Sequence, residues 1–256
     1  MKRYFLFLLC ISCSYHLFSQ SVYTWDLQKD LIIGSAALGL SAAPFFIDFS
    51  SNSASMYDSF QKENINAFDR VLMFAYNKPV DISSDVILYA LMAAPLVPLA
   101  GNIKDANAWV TYGIMYAETF LLVYGTTEIA KNSILRYRPY CYFGDIPSGK
   151  ENDYYKSFPS RHTALAFMSA GFLTSTFFAE YPDSSWKIPV SAIAYTLAAG
   201  VGASRIISGN HFLTDVLAGA AIGSLYGWLI PAFHVTAKNN MSIQPVVNGI
   251  IIKVSY

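Results

Sequence analysis

The chain has 256 residues, 54% of them hydrophobic and 13% charged, with 17 basic and 17 acidic side chains and a mean hydropathy of +0.35. So much apolar surface excludes a disordered chain, and zero net charge without a Lys/Arg block argues against nucleic acid as a partner. Three cysteines exclude a disulfide scaffold.

In chain order, Met1-Lys2-Arg3 precedes an apolar stretch from Tyr4 to Cys13, the pattern of an export signal or a short signal anchor over residues 1–20. Removing it would leave Cys141 as the single cysteine, so no intrachain disulfide is expected. Six runs then approach the ~20 apolar residues that a membrane span requires. They are Leu31–Ile47, Val86–Ile103, Ala106–Thr127, Thr163–Ala179, Ile188–Ser204 and Val216–Ala237. Helices apolar on every face have no place in a water-soluble domain. The expected architecture is all-α, an integral membrane bundle of about six helices over 21–237, followed by a polar tail, 238–256. Residues 48–85 read as a polar loop with an apolar patch at Phe68–Tyr76 suited to a surface or re-entrant helix. The tail alternates at Ile243, Val246, Ile250, Ile252 and Val254 as a short strand would. Gly219, Gly223 and Gly227 recur every four residues, the spacing that lets membrane helices approach closely.

The few charges gather at the ends of these runs. Lys131 and Arg138 stand seven residues apart and share a helix face if the helix continues; Pro139 follows. They could hold an anion or be ordinary flanking bases at the interface. Ser160 is an N-cap candidate opening the next run, where a helix start offers N–H groups and a positive dipole end to an anion; His162 falls in its first turn. His211 and Asp215, at i and i+4, lie one above the other on a helix, so the carboxylate could take the imidazole N–H and leave the other nitrogen as a nucleophile. The alternative is a surface pair of little energetic weight. Glu118 interrupts an otherwise apolar run; a partnered carboxylate between helices is the favoured reading, a functional one the alternative.

Taken together, Lys131-x6-Arg138-Pro139, Pro159-Ser160-x-His162 and Ser204-Arg205-x5-His211-x3-Asp215 resemble the three-part signature of the type 2 phosphatidic acid phosphatase superfamily, which includes membrane lipid phosphatases, soluble acid phosphatases and vanadium haloperoxidases. The resemblance implies that His211 attacks phosphorus, that Asp215 orients it, and that His162 protonates the leaving oxygen and then activates water. It implies a phosphate cradle of Lys131, Arg138, Arg205, Ser160 and the backbone amide of Arg161. Arg161 stands where the family usually has glycine, and its side chain is a further candidate phosphate contact. No metal or cofactor is expected, since the cations neutralise the phosphate. The implied activity is hydrolysis of a lipid phosphomonoester or diphosphate in a bacterial inner membrane, with the site facing the periplasm or exterior. The rivals are a phosphotransferase using the same intermediate and a non-catalytic lipid-phosphate binding or transport protein. Tyr140–Phe158, rich in aromatics beside Lys150 and Lys156, suits an interfacial lid. Sidedness conflicts with a cleaved leader unless one early segment, Leu31–Ile47 being the most marginal, fails to cross.

Overall fold

The computed structural model describes residues 22–47, 60–97, 106–144, 146–150, 153–235, 241–246 and 249–254. The leader stretch, 1–20, lies outside the described residues. Among the described residues, six longer helices form the bundle: α1 (Leu27–Phe46), α3 (Lys78–Ala93), α4 (Ala106–Ser133), α5 (Arg161–Glu180), α6 (Lys187–Ile207) and α7 (Leu213–His234), with a single-turn α2 (Ala67–Arg70) before α3. Among the described residues, α1, α6 and α7 are long and apolar enough to cross a membrane. Leu31, Ile32, Phe45, Ile188, Ile193, Leu217, Leu225 and Phe233 point outward and exposed on these three helices. Side chains of that kind belong against acyl chains, not water.

Local chemistry sets the helix starts. Asp26 caps α1 through the Lys29 N–H at 2.9 Å, and Asn66 caps α2 through the Asp69 N–H at 2.9 Å. Asn77 caps α3 through the Val80 N–H at 3.2 Å, and Pro79 fits the first turn, where no intrahelical donor is needed. This start extends the helix back from the apolar run at Val86 and brings Asp81 and Asp85 into it, which corrects the reading of 48–85 as loop over 78–85, while 48–59 lie outside the described residues. The patch at Phe68–Tyr76 is one turn of helix and a strap rather than a longer surface helix. The Asn77 N–H reaches the Ser208 carbonyl at 3.2 Å, and Gly209 sits at φ 71° with its Cα so close to the strap that a Cβ would lie 2.5 Å from the Phe74 carbonyl oxygen.

Helix α5 runs through the centre. Its positions from Thr163 to Thr174 are buried with the exception of Phe167, so it presents no polar face. Its most extensive partner is α7. There the glycine series works as its spacing suggests: a Cβ on Gly219, Gly223 or Gly227 would lie 2.4, 2.0 or 2.6 Å from the carbonyl oxygens of Ser160, Ala164 and Met168. On one flank, α3 and α6 enclose Leu88, Leu91, Ala194, Ala198 and Val201 against α5. On the other, α1 lies parallel to α4, with Leu40 and Ser41 against Gly125 and the Ser41 hydroxyl donating to the Leu121 carbonyl at 2.8 Å.

The bundle therefore has two distinct ends. The C-termini of α4 and α6 and the N-termini of α3, α5 and α7 meet at one. The start of α1 and the end of α7 meet at the other, tied by the Thr24 N–H to the His234 carbonyl at 3.0 Å and by a Tyr23–Val235 bridge. Beyond α7, β1 (Met241–Val246) and β2 (Gly249–Val254) pair antiparallel with Met241 opposite Val254, the strand character that the alternating tail suggested.

Candidate phosphate-binding active site

At the first end lies a cavity of about 240 Å³, lined by Asp81, Asp85, Lys131, Arg138, Lys150, Asp153, Arg161, His162, Arg205 and His211. Five Lys or Arg side chains line it beside three carboxylates, a basic wall suited to an anion such as phosphate in a confined volume.

The three motifs supply the walls from different elements. Lys131, in the last turn of α4, is 4% exposed and donates from Nζ to the Lys156 carbonyl at 2.6 Å. Arg138 donates from Nε to the Asp153 carbonyl at 2.9 Å, from Nη1 to the Asn210 carbonyl at 3.1 Å, and from Nη2 to the Asp153 carboxylate. Arg205, at the end of α6, pairs with Asp81 and donates to the Ser84 hydroxyl at 3.0 Å; its buried Nε has no protein acceptor. Lys150 donates to Asp81 at 2.7 Å and to the Asn210 side-chain oxygen at 2.8 Å. Four guanidinium or ammonium groups are thereby aimed by carboxylates, carbonyls and hydroxyls behind them, a fixed arrangement that needs little reorganisation to receive an anion.

His211 is 1% exposed. Its Nδ1 lies 2.7 Å from the Ser157 carbonyl, and a carbonyl can only accept, so the proton is on Nδ1. The lone pair is then on Nε2, which faces Arg138 Nη1 at 3.1 Å on the cavity side. Burial first, and then the Arg138, Lys131 and Arg205 cations, push the imidazole well below its ordinary value, so it is neutral.

Asp215 stands differently from the sequence expectation. Its Oδ2 is 3.7 Å from His211 Nδ1 and instead accepts from the Ser157 hydroxyl at 2.6 Å and the Phe212 N–H at 2.8 Å; Oδ1 accepts from Arg136 at 2.5 Å. Asp215 thus holds the loop whose carbonyl holds the histidine. Arg136 bridges onward from Nη2 to Asp69 at 2.6 Å, and Asp69 takes the Thr214 N–H at 2.9 Å and hydroxyl at 2.7 Å. Burial alone would raise the Asp69 carboxyl, but the bonds from Thr214, Arg136 and Asn66 hold it below the usual range.

His162 also lines the cavity, with Nε2 2.9 Å from Asp85 Oδ1. Ser160 is buried as the N-cap of α5, its hydroxyl 2.9 Å from Thr163 Oγ1, and is not among the lining side chains. Arg161 reaches the cavity rim but is engaged by Glu128 and stacked over Tyr124 at 5.0 Å. Of the two lysines of the Tyr140–Phe158 loop, Lys156 contributes a carbonyl to Lys131, while Lys150 supplies the wall.

Sequence reasoning passed over Asp69, Asp81, Asp85, Arg136, Asp153 and the Ser157 carbonyl. A signal existed for two of them, since Asp81 and Asp85 stand at i and i+4 just after an Asn77-x-Pro79 helix start.

Comparison with known proteins agrees with the motifs. The chain is 45% identical over 74 residues to the Lipid A 1-phosphatase of Porphyromonas gingivalis, an alignment covering 28% of this chain and 15% of that protein's length. It is 38% identical over 172 residues to the Bacitracin transport permease protein BcrC of Bacillus licheniformis, covering 65% of this chain and 78% of that one. Among solved structures, a transmembrane PAP2-type phosphatidylglycerolphosphate phosphatase from Bacillus subtilis is similar at 25% identity and a TM-score of 0.43, covering 80% of this chain and 95% of its own. Residues 112–239 match the family model of the PAP2 superfamily, which takes in all three motifs, and the chain belongs to that superfamily.

Proposed function

We propose that this protein is a membrane phosphatase that hydrolyses a lipid phosphomonoester or diphosphate through a phosphohistidine, without a metal at the reacting phosphorus. One observation carries the reading: a neutral His211 presents its Nε2 lone pair to a cavity walled by Lys and Arg side chains, while a second histidine, His162, lines the same space. Lipid phosphatases among the relatives support the substrate class.

In the first step His211 Nε2 bonds to phosphorus as the bond to the leaving oxygen breaks, and His162 gives that oxygen its proton; burial holds this imidazole below its ordinary value despite Asp85, so it takes up that proton when the phosphate anion enters the cavity. Charge gathers on the non-bridging oxygens, where Arg138, Arg205, Lys131 and Lys150 stand. In the second step His162, now neutral, takes a proton from water, the hydroxide oxygen bonds to phosphorus, and the P–N bond returns its electrons to His211. Phosphate leaves and both imidazoles regain their starting states. Asp215 and Ser157 position His211, and the cavity faces outward from a bacterial inner membrane.

The test is phosphate release by detergent-purified protein from a panel of lipid phosphates, with chelator present and with an alcohol as competing acceptor. His211→Ala is expected to abolish turnover in a chain that still elutes as the wild type does. Equal release by His211→Ala overturns the mechanism, and phosphate recovered only on the alcohol makes the protein a transferase.

A further inference from the structure

Asp30 from the first turn of α1, Glu118 from the middle of α4 and His234 from the end of α7 converge at the other end of the bundle. One ligand-type atom from each lies within 4.8 Å of the other two. Asp30 Oδ1 is 2.6 Å, and Glu118 Oε2 3.5 Å, from His234 Nε2. His234 Nδ1 lies 2.9 Å from the Ile230 carbonyl, which can only accept, so Nδ1 carries a proton; Nε2 is the nitrogen turned to the carboxylates, and its contact with Asp30 Oδ1 is a hydrogen bond whose proton a metal ion would displace. Glu118 is 4% exposed, and neither of its carboxylate oxygens has a hydrogen-bond donor. A buried carboxylate in that condition is costly, and two of them around one imidazole ask for a positive charge between them.

The neighbouring cation does not supply it. Lys29 turns its ammonium to the Phe233 carbonyl at 2.8 Å. The second oxygen of Asp30 is occupied by the Asp26 N–H at 2.5 Å, which leaves Oδ1 directed at the histidine.

We propose that Asp30, Glu118 and His234 form a binding site for one divalent transition-metal ion of the zinc class. One imidazole nitrogen and two carboxylate oxygens are a donor set that zinc accepts, with water as a fourth ligand on the partly open Asp30 side. Bond lengths near 2.0 Å put ligand atoms about 3.3 Å apart, so the ion enters by widening the His234–Asp30 contact by less than ~1 Å. The two charges of the ion offset those of the two carboxylates. The site would clamp α1 to α4 and α7. At ~1.5 Å rise per residue, His234 is about 28 Å along α7 from Asp215, so the ion takes no part in chemistry at His211.

Detergent-purified full chain, stripped with chelator and desalted, is reloaded with zinc and measured for metal content, and is titrated with cobalt(II) as a coloured substitute. One zinc per chain, intense visible cobalt bands displaced by zinc, and a zinc-dependent rise in melting temperature are expected. Glu118→Gln and His234→Ala are expected to lower zinc content at least tenfold. The initial rate of phosphate release by stripped but still folded wild type is expected to be unchanged. Wild-type zinc content below a tenth of an equivalent overturns the proposal, and that measurement requires no variant to fold. Undiminished zinc in Glu118→Gln also overturns it. A metal-free wild type accompanied by a more heat-stable Glu118→Gln would identify a shared proton in place of the ion.

Discussion

His211 illustrates how one backbone atom can set the chemistry of a side chain. The Ser157 carbonyl fixes the proton on Nδ1 and thereby the reactive lone pair on Nε2, while Asp215 acts on the histidine through the Ser157 hydroxyl and the Phe212 N–H rather than through a direct hydrogen bond. Ser157→Ala keeps the carbonyl and removes the hydroxyl, so it is expected to cost about 1 kcal/mol of stability and only a modest part of the rate. Arg136→Met leaves Asp69 and Asp215 buried without their shared cation, a loss expected to cost about 3 kcal/mol or more. Thermal unfolding in detergent separates the two. Acidity gives a second check. The folded His211 takes its proton well below 6.5, whereas the unfolded chain takes it near 6.5, so between those values the unfolded state binds more protons. Stability from this group is present above about pH 6.5 and falls as pH drops below it. Ring-nitrogen NMR of labelled protein is expected to show His211 neutral at pH 6, and an imidazolium there would remove it as the nucleophile. The motif residues were legible in the sequence because each motif is short and contiguous. Asp69 and Arg136 were not, because their meaning comes from partners such as Thr214 and Asp215, 145 and 79 residues away in the chain.

The pairing of α5 with α7 is the element on which the site rests. Gly219 abuts the Ser160 carbonyl at the very turn that carries Arg161 and His162, and Gly223 abuts Ala164 one turn further on. A Cβ at Gly223 would come 2.0 Å from a backbone oxygen, and no side-chain rotation can relieve a contact with backbone. Gly223→Ala is therefore expected to destabilise by about 1–3 kcal/mol and to reduce phosphate release more than Gly113→Ala, where nothing lies within 4 Å of the added carbon. Equal effects of the two substitutions on melting temperature would contradict the packing account. This contact was readable from the spacing of three glycines, since close approach is what small residues in an apolar helix provide. The start of α3 was less readable, because the apolar run begins at Val86 while the helix begins eight residues earlier, where Asn77 and Pro79, not hydropathy, set the boundary.

For the whole molecule, helix direction decides which groups share a side of the membrane. The sequence left α1 as the segment most prone to fall short, yet it is a full 20-residue helix parallel to α4, starting at the end where α7 finishes. Val22 and Val235 accordingly lie at the end opposite the cavity formed by Lys131, Lys150 and His211. A bilayer core of ~30 Å separates the two ends. Ser148→Cys and Ser242→Cys, each in a background with Cys10, Cys13 and Cys141 replaced by Ser, are therefore expected to react with a membrane-impermeant maleimide from opposite faces of intact cells or spheroplasts. The outward-facing cavity proposed above predicts labelling of Ser148→Cys from outside and of Ser242→Cys only after permeabilisation. Under that arrangement residue 22 is inside, so a peptidase acting at the outer face has no access to a bond near residue 20, and the N-terminus of the purified chain is expected to retain the apolar Tyr4–Cys13 stretch. The reverse pattern, with Ser242→Cys labelled from outside, turns the cavity to the cytoplasm and restores a cleavable leader. Labelling of both positions from one face would break the six-helix crossing itself.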